Sequence, residues 1–427
     1  MLKILPWLLL TGVTLRAEQC LVIGDSLTKE YEVTFPALYP DNPQAWQARN
    51  WIETLHQQRT DWFDTGTWGS YSDPRIVGHK YNWAFAGATT SEIRSQLNNF
   101  FNILWTNTLK NHLRNDVERV VIFAGGNDAD SYYADLYNGN VGPDITDTTL
   151  DNLQWIVNYV RAVNANLPIV LVSVPHVGCT PKIQQGYPTD PVKTARVTAA
   201  MDLLNANLAS FAQSQGIGFA PGVYEFTKAI ITQPFRIRGI EFYRVGDADA
   251  RVRYTFSGDG FHPNTCAHMR IAQAVVDAFN TAYPSMPITP LEDLEVITNV
   301  LGLDPDTPFN EWLAAQGGSG GYTADTDRDG VPNVLEFALE GFSATAPDNA
   351  GLPRPVMQNG ALTLTWLPRP VFTEWGSLRP EFSSDLLQWN DVPAAQVVTN
   401  PDGTVTASVN LSGKGFVRLK AIPSDQN

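Results

Sequence analysis

At 427 residues the chain exceeds one average domain, so one sizeable core plus something smaller is expected. A formal net charge of −15 sets its surface against nucleic-acid phosphates and anionic lipid headgroups, which excludes nucleic acid as a partner class. Three cysteines, Cys20, Cys179 and Cys266, are too few for a disulfide-built scaffold and lack metal-ligand spacing, leaving a single Cys179–Cys266 bridge and three buried thiols both open.

Taken in chain order, Lys3, the apolar residues 4–10 and the Arg16-Ala17-Glu18 region read as a secretory signal over residues 1–17. The run is too short to span a bilayer, and no other stretch is long and apolar enough, so no stable membrane insertion is expected. A secreted, periplasmic or extracellular protein follows, and losing Lys3 and Arg16 lowers its charge by two, to −17. Next, Cys20-Leu21-Val22-Ile23 reads as a buried strand ending in Gly24-Asp25-Ser26. Residues 81–85 are strand-like, Val120 to Ala124 form a strand ending in Gly125-Gly126-Asn127-Asp128, and Ile169 to Val174 form another ending at Pro175. Helices are predicted over 44–57, 91–113, 148–163, 192–213 and 265–279, with apolar period 3.6 at Leu153, Ile156, Val157, Val160 and Val163. Apolar strands alternating with helices predict a parallel sheet covered on both faces, which binds ligands at its carboxyl edge.

Residues 283–290 are Pro-rich and read as a linker, with short helical stretches at 291–301 and 308–316 and a flexible glycine joint at 317–321. Beyond Leu352 the pattern alternates in the strand manner at 361–366, 396–399, 404–409 and 416–419, with Asn400-Pro401-Asp402-Gly403 as a hairpin turn. The organisation expected is a signal at 1–17, a catalytic α/β domain at 18–285, a connecting region at 286–350 and a small all-β, sandwich-like domain at 351–427.

Chemistry concentrates at the strand ends. A serine hydroxyl attacks only when a base takes its proton and a third group orients that base. Ser26, on a glycine turn after a buried strand, is placed to project into a crevice, although an Asp-Ser helix cap fits the tetrapeptide as well. Asp259-Gly260-Phe261-His262 puts a carboxylate and an imidazole three residues apart on one turn, so one ring nitrogen meets the acid while the other faces the serine. Among the six histidines only His262 has this arrangement before a helix. His268 reads as packing within that helix, and His176 as a strand-end residue near the pocket. Acyl transfer also needs N–H donors for the oxyanion; Asn127 and the Gly87 turn supply candidates.

Together, Gly24-Asp25-Ser26-Leu27, Asn82-Trp83-Ala84-Phe85-Ala86-Gly87, Gly125-Gly126-Asn127-Asp128 and Asp259-Gly260-Phe261-His262 resemble the SGNH, or GDSL-type, hydrolase superfamily over about residues 20–285. The resemblance implies a flavodoxin-like three-layer α/β/α sandwich, with Ser26 as nucleophile, His262 as base and Asp259 as orienting acid. It also implies an oxyanion hole from Gly87, Asn127 and the Ser26 N–H, with Ala86 the alternative to Gly87, and Asp128 bracing its turn. No cofactor is needed for that chemistry.

A separate run, Asp325-Thr326-Asp327-Arg328-Asp329-Gly330, has oxygen ligands at loop positions 1, 3 and 5 and Gly at 6. The Val331 carbonyl, Asn333 and Glu336 fill positions 7, 9 and 12, so structural Ca2+ is expected. The run resembles the Asp-rich loops of dockerin and thrombospondin type 3 modules, and the β domain beyond it is similar to small sandwiches appended to exported bacterial proteins. Aromatic residues (Trp46, Trp51, Trp62, Trp68, Tyr71, Tyr81 and Trp83) crowd the segment between the first two motifs, where core packing explains most and ring stacking on sugars or acyl chains the rest. The reading is a secreted serine esterase for short acyl chains, such as carbohydrate acetyl or aryl esters, small or polysaccharide-linked. The alternatives are a lipase or lysophospholipase on the same triad, and a non-catalytic polysaccharide- or surface-binding protein.

Overall fold

Strands without polar alternation must be covered on both faces, and five such segments lie side by side: β1 (Cys20–Gly24), β2 (Asn82–Ala84), β3 (Arg119–Phe123), β4 (Ile169–Val172) and β5 (Gly218–Ala220). The computed structural model describes residues 17–34, 48–71, 75–99, 103–140, 145–246, 251–410 and 413–423, so the expected signal, apart from Ala17, and Trp46 lie outside the described residues. All pairings in the sheet are parallel and the order is β2-β1-β3-β4-β5, with Ile23 beside Trp83 on one flank and Ile122 on the other. That is the flavodoxin-like order, whose switch point lies between β1 and β3.

Alternate strand residues serve opposite layers. Leu21, Ile23, Val120, Ile122, Ile169 and Leu171 join one apolar cluster with helices Thr90–Leu97, Ile145–Val163 and Pro191–Gln215. On the other face, Trp51 of helix Trp51–Gln58 meets Phe123 edge-on with ring centroids 6.3 Å apart, and Phe63 meets Phe279 of helix Thr265–Ala282 at 5.8 Å. The helices start where side chains satisfy their free N–H groups: capping boxes at Asn50/Glu53 and Thr89/Glu92, and Asp190 before a proline.

The structure departs from the sequence reading in several places. The helix expected over 91–113 is divided into Thr90–Leu97 and Ile103–Asn111 with a π turn at His112–Asp116, which sets Trp105 and His112 against Trp83 at ring distances of 5.7 Å each. Strand β5 carries only three residues and left no period to read. Residues 283–290 are not a free linker. The Arg59 guanidinium donates to the carbonyls of Thr289 (2.8 Å) and Pro290 (2.5 Å), and Ile288 exchanges two hydrogen bonds with the Asn280 side chain. All three cysteines are buried and free, so Cys179 and Cys266 are not bridged. Among the described residues no helix is long and apolar enough to cross a membrane.

The chain forms two compact units, residues 1–234 with 243–292, and 235–242 with 293–427. The boundary therefore falls at 292/293 instead of 285/286, and the regions expected as 286–350 and 351–427 share one unit from residue 293 onward. The reason is an aromatic core spanning both: Phe309 stacks on Trp375 at 6.2 Å and Phe337 meets Trp375 at 5.4 Å. The glycine run at 317–321 is no loose joint at its start, because the N–H groups of Gly317 and Gly318 close helix Thr307–Ala315 onto Ala314 and Leu313. This unit also holds two antiparallel sheets. One has the order Val356–Gln358, Ala361–Trp366, Val405–Val409, Val397–Thr399; the other has Asn390–Asp391, Ser377–Ser383, Phe416–Ile422. The hairpin at Asn400-Pro401-Asp402-Gly403 pairs Thr399 with Val405.

Candidate active site

Ser26 sits on the first turn after β1, at the switch point. Gly24 is required there, since a Cβ would lie 2.4 Å from the Phe123 carbonyl and 2.6 Å from Thr28 Oγ1. Asp25 holds the turn: its Oδ1 accepts the Leu27 N–H (2.9 Å) and its carbonyl accepts those of Thr28 (3.1 Å) and Lys29 (2.9 Å). Burial pushes the Asp25 carboxyl up to about 7, against the Leu27 N–H and the His262 charge, which favour its ionised form. Asn82, from the second motif, braces the turn by donating to the Thr28 carbonyl at 2.8 Å.

The Asp259–His262 turn reaches this serine from far along the chain. A bridge between Phe256 and Pro263, and a Ser257 N–H to His262 carbonyl bond of 2.8 Å, close the turn, and Gly260 takes φ +68° within it. The buried Asn264 ties the turn's base by donating to the carbonyls of Tyr254 (3.0 Å) and Phe256 (2.8 Å). Ser26 Oγ lies 2.7 Å from His262 Nε2, and His262 Nδ1 lies 2.5 Å from Asp259 Oδ2. Asp259 Oδ1 accepts from Ser257 Oγ (2.7 Å), Phe261 N (2.8 Å) and His262 N (3.0 Å). Desolvation works to raise the Asp259 carboxyl, but the hydrogen bond and charge of His262, with the Phe261 and His262 N–H groups, outweigh it and hold it well below the usual range. It therefore remains an acceptor for Nδ1–H.

Asn127 stands at the start of helix Gly126–Asn138, after Gly125, which takes φ +112° and whose Cβ would lie 2.8 Å from Val174. Its Nδ2 donates to the Ala88 carbonyl at 3.0 Å, which fixes the amide and leaves its second hydrogen for another acceptor. Gly87 adopts φ +78° in the exposed loop after β2. Two contacts anchor that loop: Phe85 N to the Gly24 carbonyl (2.9 Å), and Thr90, whose N (2.9 Å) and Oγ1 (2.6 Å) donate to Asp128. Asp128 thus braces the loop that carries Gly87. Asn127 and Ser26 line one pocket; Gly87 is not among its lining residues.

That pocket, about 600 Å³ with the open solvent at its mouth counted, lies beside Ser26 among apolar side chains. Phe123, Val223, Phe226, Ile230, Phe256 and Ile271 are among its apolar lining. Sequence reasoning missed these residues, because in the chain they look like ordinary core positions. His176 does line the wall, as read, but it is buried, bonded to Thr198 Oγ1 at 3.1 Å and stacked on Tyr224. His268 packs within its helix, 2.7 Å from the Tyr31 hydroxyl. Of the motif-flanking aromatics, Trp51, Trp83 and Tyr81 are core, while Trp68 is exposed.

The acidic loop lies in the second unit. Carboxylate oxygens of Asp325, Asp327 and Asp329 converge within 4.8 Å of one another, as do those of Asp329, Glu336 and Asp348. Val331 is buried and donates its N–H to Asp329 Oδ1 at 2.9 Å. Asn333 departs from its expected ligand role: its oxygen accepts from Thr326 N (3.2 Å) and Oγ1 (3.1 Å), and its amide donates to Ser319 O at 3.3 Å. It brackets the loop from within.

The sequence model of the GDSL-like lipase/acylhydrolase family matches residues 21–275. Comparison with curated proteins gives no match. One solved crystal structure aligns with 63% of this chain and 99% of its own length at 17% identity, with a TM-score of 0.34.

Proposed function

The chain belongs to the GDSL-like lipase/acylhydrolase family, and on that footing we propose that it hydrolyses carboxylic esters through an acyl-enzyme on Ser26. The observation that carries this reading is the unbroken Ser26–His262–Asp259 relay opening onto an apolar pocket. His262 Nε2 takes the Oγ proton as Oγ attacks the carbonyl carbon, and Asp259 holds the imidazole with Nδ1 protonated. The oxyanion is met by the second Nδ2 hydrogen of Asn127 and the Ser26 N–H, which share the pocket at the start of helix Gly126–Asn138, while the Gly87 N–H, from a loop outside that lining, is the third candidate donor. His262 then returns the proton to the leaving alcohol. A water deprotonated by His262 attacks the acyl carbon and frees Ser26.

The sequence pointed towards short acyl chains, with lipid esters as the alternative. The pocket's apolar lining favours the alternative for the acyl side: chains longer than acetyl bury methylenes against it, at about 0.8 kcal/mol each, or roughly fourfold in kcat/KM. Wild type is expected to hydrolyse p-nitrophenyl esters, and Ser26→Ala to lose that activity with its fold intact. An inactive wild type overturns the esterase reading and leaves the surface-binding one. Octanoate preferred over acetate by about tenfold or more supports the apolar seat; a maximum at acetate returns the substrate to carbohydrate acetyl or aryl esters. Residues 1–17 serve as the export signal in this proposal, checked by the N-terminus of the protein recovered from the medium.

A further inference from the structure

We propose that the second unit binds one calcium-class divalent cation in a cage of Asp325, Asp327, Asp329 and Glu336, closed by Asp348, which lies outside the acidic loop. The proposal is independent of the esterase reading. Two carboxylate trios share Asp329, so five acidic side chains form two adjoining groups that meet at that residue. Such crowding alone is common on surfaces, but this one is buried where it matters. Glu336 has no exposed surface, and neither of its carboxylate oxygens has a hydrogen-bond partner. Asp327 Oδ2 and Asp348 Oδ1 are likewise buried and unpartnered. Among the described residues none of the five forms an ion pair with lysine or arginine. A sealed carboxylate with no donor is unfavourable unless a positive charge meets it.

Backbone N–H groups orient the other carboxylates of the cage. Asp325 accepts the N–H groups of Asp329 (3.2 Å) and Gly330 (2.9 Å). The Asp348 N–H donates to Asp329 Oδ2 at 2.8 Å, and Asp348 Oδ2 accepts the Ser343 N–H at 2.7 Å, which leaves Oδ1 for the ion. The donor set is all oxygen and strongly anionic, which suits a hard cation, and its number and irregular spacing suit Ca2+ better than octahedral Mg2+. Because Asp348 recruits the segment after helix Asn333–Ala338, the ion ties that segment to the loop.

The test uses the full chain, freed of metal by chelation, with equilibrium dialysis against Ca2+ and melting in Ca2+ or chelator. The expected result is one Ca2+ per chain and a melting temperature raised by Ca2+. Asp348→Asn should weaken binding by about tenfold or more, while Asp402→Asn, on a distant hairpin turn, binds as wild type does. Glu336→Gln removes the buried charge, so it should melt in chelator no lower than wild type and lose the Ca2+ shift. Absence of binding by folded wild type at millimolar Ca2+ overturns the site. Wild-type affinity in Asp348→Asn overturns the part assigned to Asp348, and an equal shift with Mg2+ overturns the calcium class.

Discussion

Asp259→Asn offers a sharp test of the relay because the geometry dictates how the amide must sit. Asp259 Oδ1 accepts two backbone N–H groups, from Phe261 at 2.8 Å and His262 at 3.0 Å, and the Ser257 hydroxyl at 2.7 Å. The asparagine oxygen is therefore confined to that position, and its NH2 occupies the Oδ2 position, 2.5 Å from His262 Nδ1. A donor there forces Nδ1 to accept, so the proton moves to Nε2, the nitrogen 2.7 Å from Ser26 Oγ. Nε2 then donates to the hydroxyl and no longer takes its proton. A forced wrong tautomer costs about 10⁴-fold in kcat/KM, roughly 5.5 kcal/mol of transition-state stabilisation. The measurement is steady-state hydrolysis of a p-nitrophenyl ester near pH 8, with circular dichroism and melting to establish an intact fold. Asp259→Ala imposes no tautomer and should retain more activity than the asparagine variant. An Asp259→Asn enzyme within tenfold of wild type refutes the relay.

Two further predictions concern what holds the site together. Asp128→Ala removes the acceptor of Thr90 N, Thr90 Oγ1 and Thr149 Oγ1. A buried N–H left unpaired costs about 1–3 kcal/mol, read as a lower urea midpoint, and kcat/KM falls with it because the loop carrying Gly87 loses its anchor; wild-type values for both contradict the bracing role. His268 is held neutral by burial, which lowers its pKa to about 3 from the ordinary 6.5. Between those values the unfolded chain binds a proton that the folded chain does not. Stability therefore declines as pH falls from about 6.5 towards 3, by up to ~1.4 kcal/mol per pH unit from this residue. His268→Gln should remove that share of the slope in urea unfolding between pH 7 and 5, and an unchanged slope counts against the assignment.

What could be read in the chain depended on how far apart the interacting groups lie. Strands β1, β3 and β4 announced themselves because burial on both faces demands unbroken apolar runs, whereas β5, three residues long, has no pattern to carry. The Asp259–His262 pair was visible because both partners sit on one turn, where spacing alone sets geometry. The pocket wall was not, since Phe226, Ile230 and Ile271 carry no pattern in the chain that separates them from ordinary apolar packing residues. The same contrast governs the acidic loop. Alternating carboxylates at 325, 327 and 329 form a local pattern, while Asp348 enters only because Asp329 accepts its N–H. Asn333 fits the loop pattern by position, yet its side chain is taken by Thr326 and Ser319. A consensus position names the atom that can reach an ion; whether it does depends on which competing donors the fold brings closer. The same logic separates chemistry from specificity in the first unit. The reacting groups follow from short-range spacing at strand ends, and the acyl chain accepted follows from long-range packing that only the assembled sheet order defines.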